Sequence, residues 1–252
     1  MLNYNSAIKI IILVILYFAL PITAAPLIKS GSEETSELNL YTAKYSVLRG
    51  KKKYGRATRT LSKNNTSYSL SFNTSASIFF YSIDTSETST FLWQDNKVAL
   101  LSYKGKDSRT FKKEKHLQLN FDHNNQTLIA KKNGEISEQT LKDDVLDPLF
   151  VFEMLRLDAL KNDGFSNVKQ LHYTVYDTSG FKEFNFLNGG RVTIDTPLGE
   201  LNCIKLSRIR KNSTRKTHIW LAIDYDYIPI MLLQEHKEEE VATLLISSIE
   251  KH

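Results

Sequence analysis

Tyr41, Ala43, Tyr45 and Val47 are separated by Thr42, Lys44 and Ser46. A period of two sends alternate side chains to opposite faces of an extended chain, so one face is dry and the other wet. That alternation recurs between polar turns along most of the sequence. It constrains the fold more than any other feature, because half-buried strands at hairpin spacing imply an antiparallel meander. Twist accumulates from strand to strand, so a long meander cannot remain flat. The expected fold class is mainly β: an antiparallel meander forming a strongly curved sheet or incomplete barrel with one principal helix packed on the concave side.

The expected strands follow in order. Gly50-Lys51-Lys52-Lys53 turns into a strand over Tyr54 to Leu61, and Asn64-Asn65 turns into Tyr68 to Phe72. Ile78-Phe79-Phe80-Tyr81-Ser82-Ile83 reads as a strand apolar on both parities, and Ser86 to Trp93 as the next. Asp95-Asn96 leads to Val98 to Tyr103, and Lys104 to Asp107 leads to Arg109-Thr110-Phe111. Leu117 to Phe121 and Thr127 to Ala130 flank a turn at Asp122-His123-Asn124-Asn125, and Lys131-Lys132-Asn133-Gly134 closes another hairpin. Later strands are expected at Leu171 to Tyr176, Phe181 to Leu187, Arg191 to Ile194 and Val241 to Ile249, with Asn188-Gly189-Gly190 as a turn. Between the third and last of these lie Thr196-Pro197-Leu198-Gly199, Trp220-Leu221-Ala222 and Ile228-Pro229-Ile230.

One segment has helical rather than strand character. Asp147-Pro148 offers an N-cap followed by proline in the first turn, where its missing N–H is no loss. Leu149 to Leu160 is apolar over most of its circumference, and Asn162-Asp163-Gly164 supplies a C-terminal stop. A helix of this kind is expected to be largely buried against the sheet.

The N-terminus predicts export. Lys9 precedes the apolar run from Ile10 to Leu20, and Pro21 with Thr23-Ala24-Ala25 supplies the break and small residues of a cleavage site. The expected organisation is a signal peptide over residues 1–25, a flexible polar lead-in over 26–39 and a single mainly β domain over 40–252. The expected location is the periplasm, with no transmembrane anchor after cleavage. Cys203 is the sole cysteine, which excludes an intrachain disulfide and an all-cysteine zinc site. The formal net charge is +5, spread along the chain in basic turns.

Several residue groups together resemble the bacterial domain-of-unknown-function family numbered 3108. They are Tyr45-x-Val47 with Gly50, Gly55-x-Ala57, Phe121-Asp122 and Asp147-Pro148-Leu149 through Leu155-Arg156. Thr196-Pro197-x-Gly199, Trp220-Leu221-Ala222 with Asp224, and Ile228-Pro229-Ile230 complete the order, which spans Tyr41 to Ile249. Between Leu101 and Arg109 the chain departs from that pattern, having Gly105 alone where a proline and more glycine are expected. The resemblance implies an exported, mainly β protein and supplies no catalytic residues. The order is also similar to the half-barrel of periplasmic lipoprotein carriers, a likeness of fold rather than of function.

No nucleophile elbow, phosphate loop or paired-histidine metal motif is present. Catalytic, cofactor-binding and metal residues are therefore expected to be none, and nucleic acid is not an expected partner. Asp122, Asp224 and Asp226 are the carboxylates an enzyme acting on glycan or lipid would use, although turn chemistry explains each. The leading expectation is a non-enzymatic carrier or chaperone for an apolar or amphiphilic envelope component, such as a lipid. The competing expectation is a structural envelope protein with a solid core that binds an envelope protein partner. Phe79, Phe80, Trp93, Phe150, Phe152, Met154 and Trp220 are the candidate cavity-lining residues; large aromatics equally suit a packed core. The basic groups at Lys51 to Lys53, Lys112 to Lys115, Lys131-Lys132 and Arg208 to Lys216 either protect sheet edges or converge on an anionic partner.

Overall fold

The computed structural model of the protein describes residues 37–210 and 213–252. The expected signal peptide and most of the lead-in lie outside the described residues. The alternating segments form β1 (Tyr41–Arg49), β2 (Lys52–Asn64), β3 (Ser67–Ile78), β4 (Tyr81–Gln94), β5 (Lys97–Arg109), β6 (Lys115–Asp122), β7 (Thr127–Lys132) and β8 (Glu135–Thr140). After the helix α1 (Phe150–Lys161) come β9 (Gln170–Asp177), β10 (Gly180–Thr196), β11 (Gly199–Ile209), β12 (Arg215–Ala222), β13 (Ile228–His236) and β14 (Glu239–Lys251).

All of them belong to one 14-stranded sheet in the order β8-β7-β6-β5-β4-β3-β2-β1-β14-β13-β12-β11-β10-β9. Each half is a plain up-and-down meander, and the two halves join where the first strand, β1, pairs antiparallel with the last, β14. The sheet does not close into a barrel. Its edge strands are β8 and β9, and the chain between them carries α1. Before the helix, Leu146 N–H donates to Thr174 O at 2.8 Å and Tyr176 N–H donates to Leu146 O at 2.9 Å, so this linker covers part of the β9 edge.

The concave face is fixed by the alternation. Tyr41, Ala43, Tyr45 and Val47 of β1 pair with Leu61, Arg59, Ala57 and Gly55 of β2, and these pair in turn with Leu70, Phe72, Thr74 and Ala76 of β3. Bulges between Lys44 and Tyr45, Thr90 and Phe91, and Trp220 and Leu221 bend the ladders. Gly55 permits a close strand approach, because a Cβ there would lie 2.2 Å from Ser75 O. The expected helix is present on the concave side, where Phe150 meets Phe91 edge-on at 4.6 Å. Its cap is as expected: Asp147 Oδ1 accepts from Leu149 N–H at 2.9 Å and Phe150 N–H at 2.7 Å.

Three local expectations are corrected. Ile78 to Ile83 is not one strand: Ile78 pairs with Tyr81 across a two-residue turn formed by Phe79 and Phe80. Val98 to Tyr103 and Arg109-Thr110-Phe111 are not separate strands, because β5 runs unbroken to Arg109 and the chain turns beyond it. Asn188-Gly189-Gly190 is not a turn but a bulge within β10, with Gly190 at φ 80°. At the end of the lead-in, Leu38 packs into the core and Glu37 pairs with Lys63 at 2.6 Å.

Candidate functional site

The inward-facing rows divide the concave side into a packed half and an open half. In the packed half, α1 brings its only Glu-x-x-Arg pair onto the sheet. Glu153 Oε2 accepts from Tyr41 Oη and from Arg59 Nη2, each at 2.8 Å, and Glu153 Oε1 accepts from Arg156 Nε at 2.6 Å. Arg59 Nε also donates to Tyr41 Oη at 2.8 Å, and Arg156 Nη1 to the Asp226 carbonyl at 3.3 Å. Arg59, Glu153 and Arg156 are all buried. Burial alone would raise the Glu153 carboxyl, but Arg156 and Arg59 outweigh it and hold the group down at about 2. The cluster bolts helix to sheet and carries a net positive charge.

Asp147 is the second buried carboxyl. Ser89 Oγ donates to its Oδ1 at 2.9 Å, while Oδ2 has no partner among the described residues. Burial pushes it up to about 7 against the bonds from Phe150 N–H, Ser89 and Leu149 N–H. Cys203 is buried, and burial with the nearby Asp224 charge pushes its thiol up to about 12, away from reactivity.

The open half lies beyond Tyr45 and Phe72, whose rings meet edge-on at 6.3 Å. It is a basin of about 620 Å³ floored by Val47, Phe72, Ala76, Ile83, Leu232 and Leu244. Arg49, Arg109, Arg210 and Arg215 also line it. Arg109 is engaged by Asp107 at 2.7 Å, whereas Arg49, Arg210 and Arg215 form no ion pair with another described residue. Burial and the neighbouring Arg215 lower the Arg210 guanidinium, and burial with Arg210 lowers Arg208 to about 10. Thr217, on the same inward row as Arg215, is buried with an Oγ1 that has no hydrogen-bond partner among the described residues. Glu235, 3.3 Å from His218, also lines the basin, so the arrangement is an apolar floor whose edge carries a surplus of positive charge.

The sequence candidates fall elsewhere. Phe79 and Phe80 stand 93% and 90% exposed at their turn, outside the basin. Phe150 is wholly buried against Phe91, and Trp220 is buried beneath Lys205, whose Nζ lies 5.2 Å from the ring centroid. Trp93 and Phe152 pack on the core, with Lys161 Nζ 5.5 Å from the Trp93 ring. Met154 lines a separate cavity of about 690 Å³ between α1, the β4–β5 turn and β9. Of the carboxylates, Asp122 closes its own turn by accepting from Asn125 N–H at 2.9 Å, and Asp226 pairs with Lys251 at 2.8 Å. Among the described residues no three His, Cys, Asp or Glu side chains are grouped to hold a metal ion. Sequence reasoning grouped Arg210 and Arg215 with the other basic turns but did not set them over an apolar floor, although Arg210 shares its parity with the buried Ile204 and Leu206.

No curated protein matches this chain. Among solved structures, a beta-barrel-like protein of domain of unknown function DUF1849 from Brucella abortus superposes with a TM-score of 0.59 at 11% identity, covering 86% of this chain and 99% of that one. At that identity the likeness is one of fold. The model of the family described as protein of unknown function (DUF3108) matches residues 40–240, which takes in both the buried Glu153 cluster and most of the basin. The order of glycine, cap and proline signals and the curved meander they build are thus accounted for together: the chain belongs to the DUF3108 family.

Proposed function

We propose that the protein is an exported, non-enzymatic carrier that holds an amphiphile with an anionic head group in the basin. The carrying observation is the set of unpaired guanidiniums of Arg49, Arg210 and Arg215 above the floor of Val47, Phe72, Leu232 and Leu244. Arg210 is half-buried, which disfavours its charge, while Arg49 and Arg215 stand exposed at the basin's edge, so an incoming carboxylate, phosphate or sulfate would meet all three and relieve the one that is partly desolvated. The unpartnered Thr217 hydroxyl adds a neutral donor beside them. An apolar floor of this size suits part of an acyl chain, whose burial contributes about 0.8 kcal/mol per methylene. Export is proposed from the apolar run at Ile10 to Leu20.

Native mass spectrometry of the protein purified from an envelope fraction, followed by organic extraction, tests the reading directly. A bound anionic amphiphile is expected. With oleate as the probe, Arg210→Ser with Arg215→Ser should weaken binding at least about tenfold while sparing neutral monoolein. Binding of neither probe to the wild type, or equal loss of both, would contradict an anion-selective basin. A solid structural role, the competing reading, would give no extracted amphiphile at all.

A further inference from the structure

In an up-and-down meander every second turn lies at the same end of the sheet. The turns β1–β2, β3–β4, β5–β6 and β7–β8 therefore share one rim, the rim at which the basin residues Arg49, Ile78 and Arg109 also lie. Registers bring the first three tips level: Gly55 pairs with Ala76, Ile78 with Tyr81, and Ile83 with Arg109. Those tips carry Phe79, Phe80 and Phe111, which are 93%, 90% and 91% exposed. The same turns carry Lys51-Lys52-Lys53, Lys112-Lys113, Lys115 and Lys131-Lys132, all exposed. The carboxylates among them are Glu114, held by Lys106 at 2.9 Å and His116 at 2.7 Å, and Glu135. Farther round the rim, Glu238, Glu239 and Glu240 mark the β13–β14 turn, which separates these tips from the basic β11–β12 turn with Arg210, Arg215 and Lys216.

Neither core packing nor turn geometry accounts for the phenylalanines. Phe79 and Phe111 have φ of 52° and 61°, a left-handed conformation that bulky side chains disfavour and that Asn or Gly supplies freely. The chain accepts backbone strain there in order to present an apolar ring to water. Aromatic tips flanked by lysines match the boundary of a bilayer bearing negative head groups, where rings sit below the phosphates and lysines lie among them.

We propose that the β1–β8 rim docks on an anionic lipid bilayer, inserting Phe79, Phe80 and Phe111 with the flanking lysines against the head groups. The surface stands independently of what the basin holds, and docking and oleate binding can fail separately. The test is flotation of the full chain with vesicles of phosphatidylcholine alone or with a third phosphatidylglycerol. N-terminal processing is common to all variants and cancels between them. The wild type should float with the anionic vesicles and lose binding as salt rises. Phe79→Ser, Phe80→Ser and Phe111→Ser together should lower partitioning at least about tenfold, the effect of withholding rings from the bilayer. Phe79→Asn suits the left-handed turn, so it should raise the melting temperature and still weaken flotation. That opposition separates docking from misfolding. Unchanged flotation of the folded triple variant would overturn the proposal. So would a wild-type dimer, seen by light scattering without lipid, that the same substitutions dissociate, since a second copy would then cover the rim.

Discussion

A carboxylate between two guanidiniums, all three removed from water, is the strongest single constraint on the packed half. Glu153 receives bonds from Tyr41, Arg59 and Arg156, and its acidity follows from that company. Glu153→Gln leaves both cations buried without a counterion and should lower unfolding free energy by ~3–5 kcal/mol in urea titration; a loss under ~1 kcal/mol would show the cluster to be solvated. The pH dependence has two parts of opposite sign. Glu153 sits below its ordinary 4.5, so its contribution is complete above that value and lost as pH falls toward about 2. Asp147 sits above its ordinary 3.8, so the folded protein binds an extra proton and stability declines as pH rises from near 4 to about 7. Asp147→Asn keeps the cap acceptor and should flatten that decline, an effect on the order of a few kcal/mol, measurable as denaturation midpoints across the interval. The Asp147 cap was legible from its position before Pro148. The fate of Glu153 was not, although it and its i,i+3 partner Arg156 sit in a helix apolar over most of its circumference, which leaves little wet face.

Among the elements, the turns reveal most about how the sequence encodes the sheet. Asn64-Asn65, Asp95-Asn96 and Asn133-Gly134 announce themselves because these residues tolerate the left-handed conformation. Phe79-Phe80 carries no such chemistry and so resembles strand. Gly189-Gly190 carries too much and resembles a turn, although the ladder from Arg191 to Thr196 continues past it. Phe79→Asn should therefore stabilise the fold by about 1 kcal/mol, whereas Gly55→Ala should destabilise it by ~1–3 kcal/mol by forcing β2 away from β3. Thermal denaturation distinguishes the two, and a neutral Gly55→Ala would show that the ladder relaxes without loss.

For the whole molecule, topology sorts chemistry between two ends. The basic turns that are scattered in sequence share one rim because an even number of strands separates them. A single miscounted strand reverses the end assigned to every later turn, so the unmarked Phe79-Phe80 turn conceals this convergence from a reader of the sequence. The same topology leaves one half of the concave side filled by α1 and the other half open. If the open half carries an anionic amphiphile, oleate at a hundredfold its dissociation constant should stabilise the protein by ~2.7 kcal/mol and raise its melting temperature by several degrees. Monoolein should give a smaller shift, and equal shifts would remove the arginines from recognition.

The sequence by itself determined the mainly β meander, the capped helix and the family, because alternation, caps and turn residues are local and each is written within a few positions. It did not determine the basin, the buried ion cluster or the shared rim. Arg59 and Glu153 lie 94 positions apart, and Arg49 and Arg210 come from opposite halves of the chain. Only the pairing of β1 with β14 and the seating of α1 inside the curve decide which inward side chains are covered and which remain open.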